Sequence, residues 1–240
     1  MLTVKHIITG YDVLPDGYLK PSAMLKYMQD AATMDAANAG ADYESLRSRD
    51  MIFVVSKVLI NFTRTPKIDD CLEVRTWNSG TLGVSFVRNY VMSVDGEVIG
   101  SATTRWVLVS YSARRILRPD ALFTDLSSNT EELLPLEPSR RLKLLDGVTV
   151  NEAVYTASLT DMDTNYHVNN TRYGDLIVDY SGLDLINSKI KEFEIHFVSE
   201  LKAGQVIKLA STADGNTSYV TAVKDDGLQV FTSRIVVENI

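Results

Sequence analysis

The sequence is short of the residues that staple, anchor or metallate a protein. Its 240 residues include one cysteine, Cys71, so no internal disulfide can form and nothing points to a secreted, cross-linked fold. Histidine occurs three times, at His6, His167 and His196. No run of His, Cys and carboxylate has ligand spacing, so neither a metal nor a cofactor is expected. Lysine and arginine number 24 against 31 acidic residues, a net charge of -7, which lacks the basic footprint of a nucleic-acid binder. Long apolar runs are missing as well. The most apolar stretch, Met51 to Ile60, contains Ser56 and Lys57 and is too short to span a bilayer; the first residues show no basic segment leading into an apolar one. A cytoplasmic chain without a membrane span is expected. There is no phosphate loop or dinucleotide fingerprint, and Ser85 in Gly83-Val84-Ser85-Phe86-Val87 lacks the second glycine of a nucleophile elbow. Cys71 follows Asp69-Asp70, carboxylates that oppose a thiolate.

What is present is a weak internal repeat. Tyr18-Leu19-Lys20-Pro21-Ser22 and His167-Val168-Asn169-Asn170-Thr171 each lead into a helical pattern at an offset of 149 positions. In the first, Met24, Tyr27, Met28, Ala31 and Met34 recur at helical spacing; in the second, Tyr173, Leu176, Ile177 and Tyr180 do. Ile60-Asn61-Phe62-Thr63 and Ile195-His196-Phe197-Val198 alternate like half-buried strands at an offset of 135, so the first half holds 14 more residues between helix and strand, accommodated around Ala41 to Ile52. Asp-Gly turns at 95–96 and 226–227 precede the similar runs Thr104-Arg105-Trp106-Val107 and Ser233-Arg234-Ile235-Val236. Each half reads as strand, helix, then several antiparallel strands, an α+β arrangement with a helix on one concave sheet. The later strands fall near 53–63, 72–78, 84–94 and 98–111, then 192–198, 206–212, 218–223 and 228–237. The segment Ile116 to Gly147, with Pro119, Pro135, Pro138 and a Ser-Ser-Asn run, has linker composition. Two units are therefore expected, 1–145 and 146–240.

The densest polar stretch is Thr160-Asp161-Met162-Asp163-Thr164-Asn165-Tyr166-His167-Val168-Asn169-Asn170, just before the second helix. Helix capping accounts for one or two of these residues, not for all. A helix N-terminus offers free N–H groups able to hold an oxyanion, which makes the Val168 and Asn169 amides candidates. Opposite Asn165 and His167 the first half has Asp16 and Tyr18, and opposite Glu200 it has Thr65. These polar groups belong to one half only, a pattern that favours chemistry over scaffolding, although a residue like Glu200 taken alone is more often a solvated strand-end charge, and its candidacy rests on its position relative to His167.

On these residues the sequence resembles the acyl-acyl carrier protein (acyl-ACP) thioesterase family of plants and bacteria. Asp163-Thr164-Asn165-Tyr166-His167-Val168-Asn169-Asn170 is similar to its Asp-x-Asn-x-His-Val-Asn-Asn signature, and the runs from Met51 through Val58 and at Arg105-Trp106-Val107 look familiar too. The resemblance implies a tandem hotdog, each half a long helix wrapped by a curved antiparallel sheet, and hydrolysis of the thioester between a fatty acyl chain and the carrier's phosphopantetheine arm. It places Asp163, Asn165, His167 and Glu200 on the family's catalytic positions. Some plant members carry a cysteine directly after that Glu; here the residue is Leu201, so a cysteine mechanism is excluded at that site.

Such an enzyme needs an apolar tunnel, for which Met24, Tyr27, Met28 and Met34 are the lining candidates, and Met28→Trp is expected to favour shorter chains. It also needs a locally basic dock for an acidic carrier, offered by Arg114, Arg115 and Arg118 or by Arg140, Arg141 and Lys143. An acyl-CoA thioesterase and a non-catalytic acyl-binding module are the alternative readings. Asp163 as orienter or as nucleophile, chain length, and monomer or homodimer all stay open.

Overall fold

The computed structural model describes residues 1–124, 126, 134–146, 148 and 150–239. The chain begins with strand β1 (Leu2–Ile7), helix α1 (Pro21–Asn38) and short helix α2 (Tyr43–Arg47). Strands β2 (Met51–Phe62), β3 (Cys71–Leu82), β4 (Ser85–Val94) and β5 (Glu97–Ser110) follow. After the linking segment come β6 (Asn151–Thr156), α3 (Arg172–Tyr180), β7 (Ser188–Phe197), β8 (Val206–Asp214), β9 (Thr217–Lys224) and β10 (Gln229–Asn239). The ten strands form one antiparallel sheet in the order β1-β3-β4-β5-β2-β7-β10-β9-β8-β6. Part of the linker, the Ser-Ser-Asn run included, lies outside the described residues.

The order is the same in both halves read from edge to centre, and β2 meets β7 at the junction, with Val58 opposite Ile195 and Ile60 opposite Phe193. The backbone repeats in finer detail. Leu14 N–H donates to Tyr18 O at 2.8 Å, and Asp163 N–H to His167 O at 2.8 Å. Leu19 N–H donates to Pro66 O at 2.8 Å, and Val168 N–H to Leu201 O at 2.7 Å. Thr63 N–H donates to Ile99 O and Val198 N–H to Val230 O, both at 2.9 Å. Gly17 and Tyr166, 149 positions apart, both take left-handed backbone, at φ 83° and 62°. Glycine adopts it freely, whereas a tyrosine takes it only with strain.

Alternation sets the faces of the sheet. Phe193 and Ile195 of β7 join Val58, Val74 and Tyr90 in a core that also takes Met24 and Met28 of α1 and Leu176 and Ile177 of α3, so one apolar layer runs under both halves. Proline at the first position of α1 supplies preset helical φ. The second helix is shorter than expected: α3 has nine residues against 18 in α1. It stops before Gly182, whose φ of 73° turns the chain out of the helix.

The outward residues of β7 are polar. Glu194 is fully buried, and accepts from Ser139 N–H at 2.5 Å and Ser139 Oγ at 2.9 Å, beside His196 Nε2 at 2.9 Å and Arg234 Nη2 at 3.0 Å. Lys57 Nζ donates to the carbonyls of Ser139 and Arg140 at 2.7 and 3.1 Å. The linker is thereby strapped across the outer face where the halves join, and Arg140, Arg141 and Lys143 lie on this strap.

Candidate active site

The polar loop before α3 is folded around one carboxylate. Asp163 Oδ1 accepts from the backbone N–H of Asn165 at 2.8 Å and of His167 at 3.4 Å, an Asx turn that presents both side chains. Asp161, one turn earlier, is buried and supports the loop: it accepts from Tyr155 Oη at 2.6 Å, Ser158 N–H at 2.7 Å and Arg172 Nε at 3.0 Å. Burial acts to raise its pKa, but the bonds from Tyr155 and Ser158 and the Arg172 charge outweigh it and hold the carboxyl below the usual range.

His167 Nε2 lies 3.0 Å from Glu200 Oε2. A carboxylate only accepts, so the tautomer suited to this approach has its hydrogen on Nε2 and its lone pair on Nδ1. Glu200 Oε1 is 3.3 Å from Arg114 Nη1, so the carboxylate bridges the imidazole and a guanidinium from the first half. Tyr43 Oη donates to Asn165 Oδ1 at 3.0 Å. In the sequence Arg114 stands only as a dock candidate and Tyr43 is not singled out, because each lies more than 80 positions from its partner in the site.

The loop faces a cavity of about 880 Å³, inside the range of sites that hold small ligands. Asp163, Asn165, His167 and Glu200 all line it. Its wall continues across the sheet through Phe53 and Val55 of β2, Trp106 of β5 and Phe86 of β4. The cavity thus begins in the second half and extends into the first.

Two expectations are corrected here. The Val168 and Asn169 amides do not serve an oxyanion: Val168 N–H donates to Leu201 O at 2.7 Å and Asn169 N–H to Asp161 O at 2.8 Å. The reason is that α3 starts only at Arg172, so both residues belong to a loop tied down by its own backbone. Nor do the α1 methionines line the cavity. Met24, Tyr27 and Met28 are buried in the core and Met34 is 50% exposed; Gln29, Ala32, Thr33 and Ala36 face the cavity instead. Successive helical residues turn by roughly 100°, so the face bearing Met28 packs on the sheet while that of Gln29 and Ala36 looks along it.

Among the described residues, no three His, Cys, Asp or Glu side chains cluster so as to hold a metal ion, and no helix is long and apolar enough to cross a membrane. Cys71 is a partly buried free thiol at the start of β3.

Residues 2–123 match the acyl-ACP thioesterase N-terminal domain and residues 148–231 the acyl-ACP thioesterase C-terminal domain. The chain belongs to the acyl-ACP thioesterase family. A palmitoyl-acyl carrier protein thioesterase, chloroplastic, of Gossypium hirsutum is 24% identical over 95% of this chain and 61% of its own length. A dodecanoyl-[acyl-carrier-protein] hydrolase, chloroplastic, of Cinnamomum camphora is 25% identical over 93% of this chain and 62% of its own. This family member therefore spans about three fifths of those two relatives. Its fold is that of an acyl-ACP thioesterase crystal structure from Bacteroides thetaiotaomicron, with a TM-score of 0.86 and 23% identity over 98% of this chain and 97% of the other. It is also that of the 12:0-ACP thioesterase from Umbellularia californica, with a TM-score of 0.81 and 21% identity over 100% and 97%.

Proposed function

We propose that the chain hydrolyses the thioester of a fatty acyl chain carried by acyl carrier protein, releasing the fatty acid and the carrier thiol. The observation that carries this reading is the Glu200–His167 pair and the Asn165 amide on the wall of a cavity that is also lined by aromatic and aliphatic side chains. Family membership and the activities for which its relatives are named support it. Supporting the tandem hotdog are the repeated strand order and hydrogen bonds; residues 1–145 then grip the chain and 146–240 hold the chemistry.

In the proposed mechanism the acyl tail lies along Phe53, Val55 and Trp106, with the thioester carbonyl at Asn165. Glu200 orients His167, and Nδ1 takes a proton from a water as its oxygen attacks the carbonyl carbon. The Asn165 Nδ2 hydrogens hold the oxyanion, a role the loop amides cannot fill. The tetrahedral intermediate collapses, the C–S bond breaks, and the proton passes from His167 to the leaving sulfur. Asp163 serves by shaping the loop, since its Oδ1 is committed to two backbone amides. A carrier dock is supported by Arg47, Arg49 and Arg114, stacked on Tyr111 or Phe123 at 3.1, 4.3 and 4.9 Å, of which Tyr111 and Arg114 line the cavity. Arg114 was foreseen in a dock; Arg140, Arg141 and Lys143 sit on the strapped outer face and are less suited. A cytoplasmic location and either a monomer or a homodimer are compatible with this reading.

The test is a ladder of acyl-ACP and acyl-CoA substrates of increasing length, with released thiol measured. Turnover of acyl-ACP above acyl-CoA is expected. Preference for CoA would replace the carrier by a nucleotide thioester, and acyl binding without turnover would make the chain a binding module.

A further inference from the structure

The segment that the first half has and the second half lacks reaches into the candidate active site. It is well anchored for its size. Asp42 caps α2 by accepting from Ser45 N–H at 2.9 Å and Ser45 Oγ at 2.6 Å. Leu46 is buried against Phe86 and Leu108. Arg47, the last residue of α2, lies 3.1 Å from the centre of the Tyr111 ring. Tyr43, the first residue of α2, is thereby held at both ends of its helix, and its hydroxyl donates to Asn165 Oδ1 at 3.0 Å across 122 positions of sequence.

We propose that Tyr43 is a positioning residue for the hydrolysis: its hydroxyl fixes the Asn165 amide so that Nδ2, not Oδ1, faces the thioester carbonyl. This rests on the reading of the site given above. An asparagine side chain has an acceptor end and a donor end of nearly the same shape; here the Tyr43 hydroxyl donates to the acceptor end and, among the described residues, leaves the donor end free. The donor end is the one an oxyanion requires. With the Val168 and Asn169 amides committed to Leu201 and Asp161, the Asn165 amide has no backbone substitute at those two positions. Among the described residues, Tyr43 is the side chain bonded to the Asn165 amide. The half that holds the polar loop is thus completed by a residue of the other half, and the 14-residue difference between the halves acquires a purpose.

The experiment is a double-mutant cycle of Tyr43→Phe and Asn165→Ala, read as kcat and KM on the best acyl-ACP and on one shorter and one longer chain, with thermal melts for all four proteins. Tyr43 is 50% exposed and the substitution removes only a hydroxyl, so the melt should not move. Tyr43→Phe is expected to lower kcat roughly 10- to 100-fold at every chain length, less than the ~10²- to 10³-fold cost of losing an oxyanion donor, with KM little changed. In the Asn165→Ala background the same substitution should change kcat less than about twofold, because groups acting as a unit are not additive. Full activity of Tyr43→Phe, or equal losses in both backgrounds, would overturn the positioning role while leaving the hydrolase reading intact. If the unsubstituted protein turned over no acyl thioester, that reading would fail, and the role of Tyr43 with it.

Discussion

At the scale of single residues, the site divides into groups that touch the reacting atoms and groups that hold them. His167→Ala removes the proposed base and should lower kcat by roughly 10²- to 10⁴-fold for all chain lengths alike, measured as steady-state turnover with folding checked by melt. The cavity wall makes a separate prediction. Ala36 faces the cavity from α1, so Ala36→Leu should shift preference toward shorter chains. One methylene is worth about 0.8 kcal/mol of burial, and excluding two or three should move selectivity by one to two decades in a chain-length profile. Met28→Trp, which the sequence pattern suggested for the same purpose, should instead overpack a residue that is 2% exposed. The expected result is a loss of roughly 1–3 kcal/mol of stability without a length shift, seen by denaturant unfolding.

At the scale of elements, the two helices meet over the sheet at one close approach. A Cβ built on Gly174 of α3 would stand 2.7 Å from the Ser22 nitrogen and 2.9 Å from its Cα. Helix propensity alone says that Gly174→Ala gains about 1 kcal/mol. Here backbone blocks the new atom, and no side chain can swing away. The helices must separate, so the net expectation is a destabilisation of roughly 1–3 kcal/mol, measured by chemical unfolding. The loop leading into α3 should move with it, so turnover ought to fall as well.

At the scale of the whole molecule, the halves are joined by β2 against β7 on the inner layer and by the strap on the outer one. Glu194 is the strap's anchor. Burial acts to raise its pKa, but bonds from His196 and Ser139 prevail and hold the carboxyl below its ordinary range. A depressed folded pKa stabilises fully above the unfolded value, near ~4.3, and that stabilisation is lost as pH falls through the folded value. The melting temperature should therefore drop as pH is taken from about 5 toward 3. Glu194→Gln should melt lower at neutral pH and show a shallower acid limb. An identical pH profile in the variant would remove Glu194 from the account.

The pattern of residues by itself determined the α+β class of fold, and it pointed to the repeat and to the loop proposed to carry the chemistry. Strand alternation and helix spacing are local, and hydrogen bonds such as Leu19 to Pro66 and Val168 to Leu201 recur although the first copy holds 14 more residues between the bonded positions. The short strands β1 and β6 had no bounds in the sequence, since their burial alternates but their hydrophobicity does not follow it: Ile7 and Val154 are exposed while His6 is half-buried. Which face of α1 looks into the cavity was not legible either, because a methionine reads the same in a core and in a tunnel. Nor was the fate of the Val168 and Asn169 amides, which depends on where Leu201 and Asp161 place their carbonyls. Tyr43 at Asn165, Arg114 at Glu200 and Ser139 on Glu194 join residues 55 to 122 positions apart. Only the tertiary structure decided these contacts, because a side-chain partner is chosen by distance in space, and the packing of two half-sheets sets that distance.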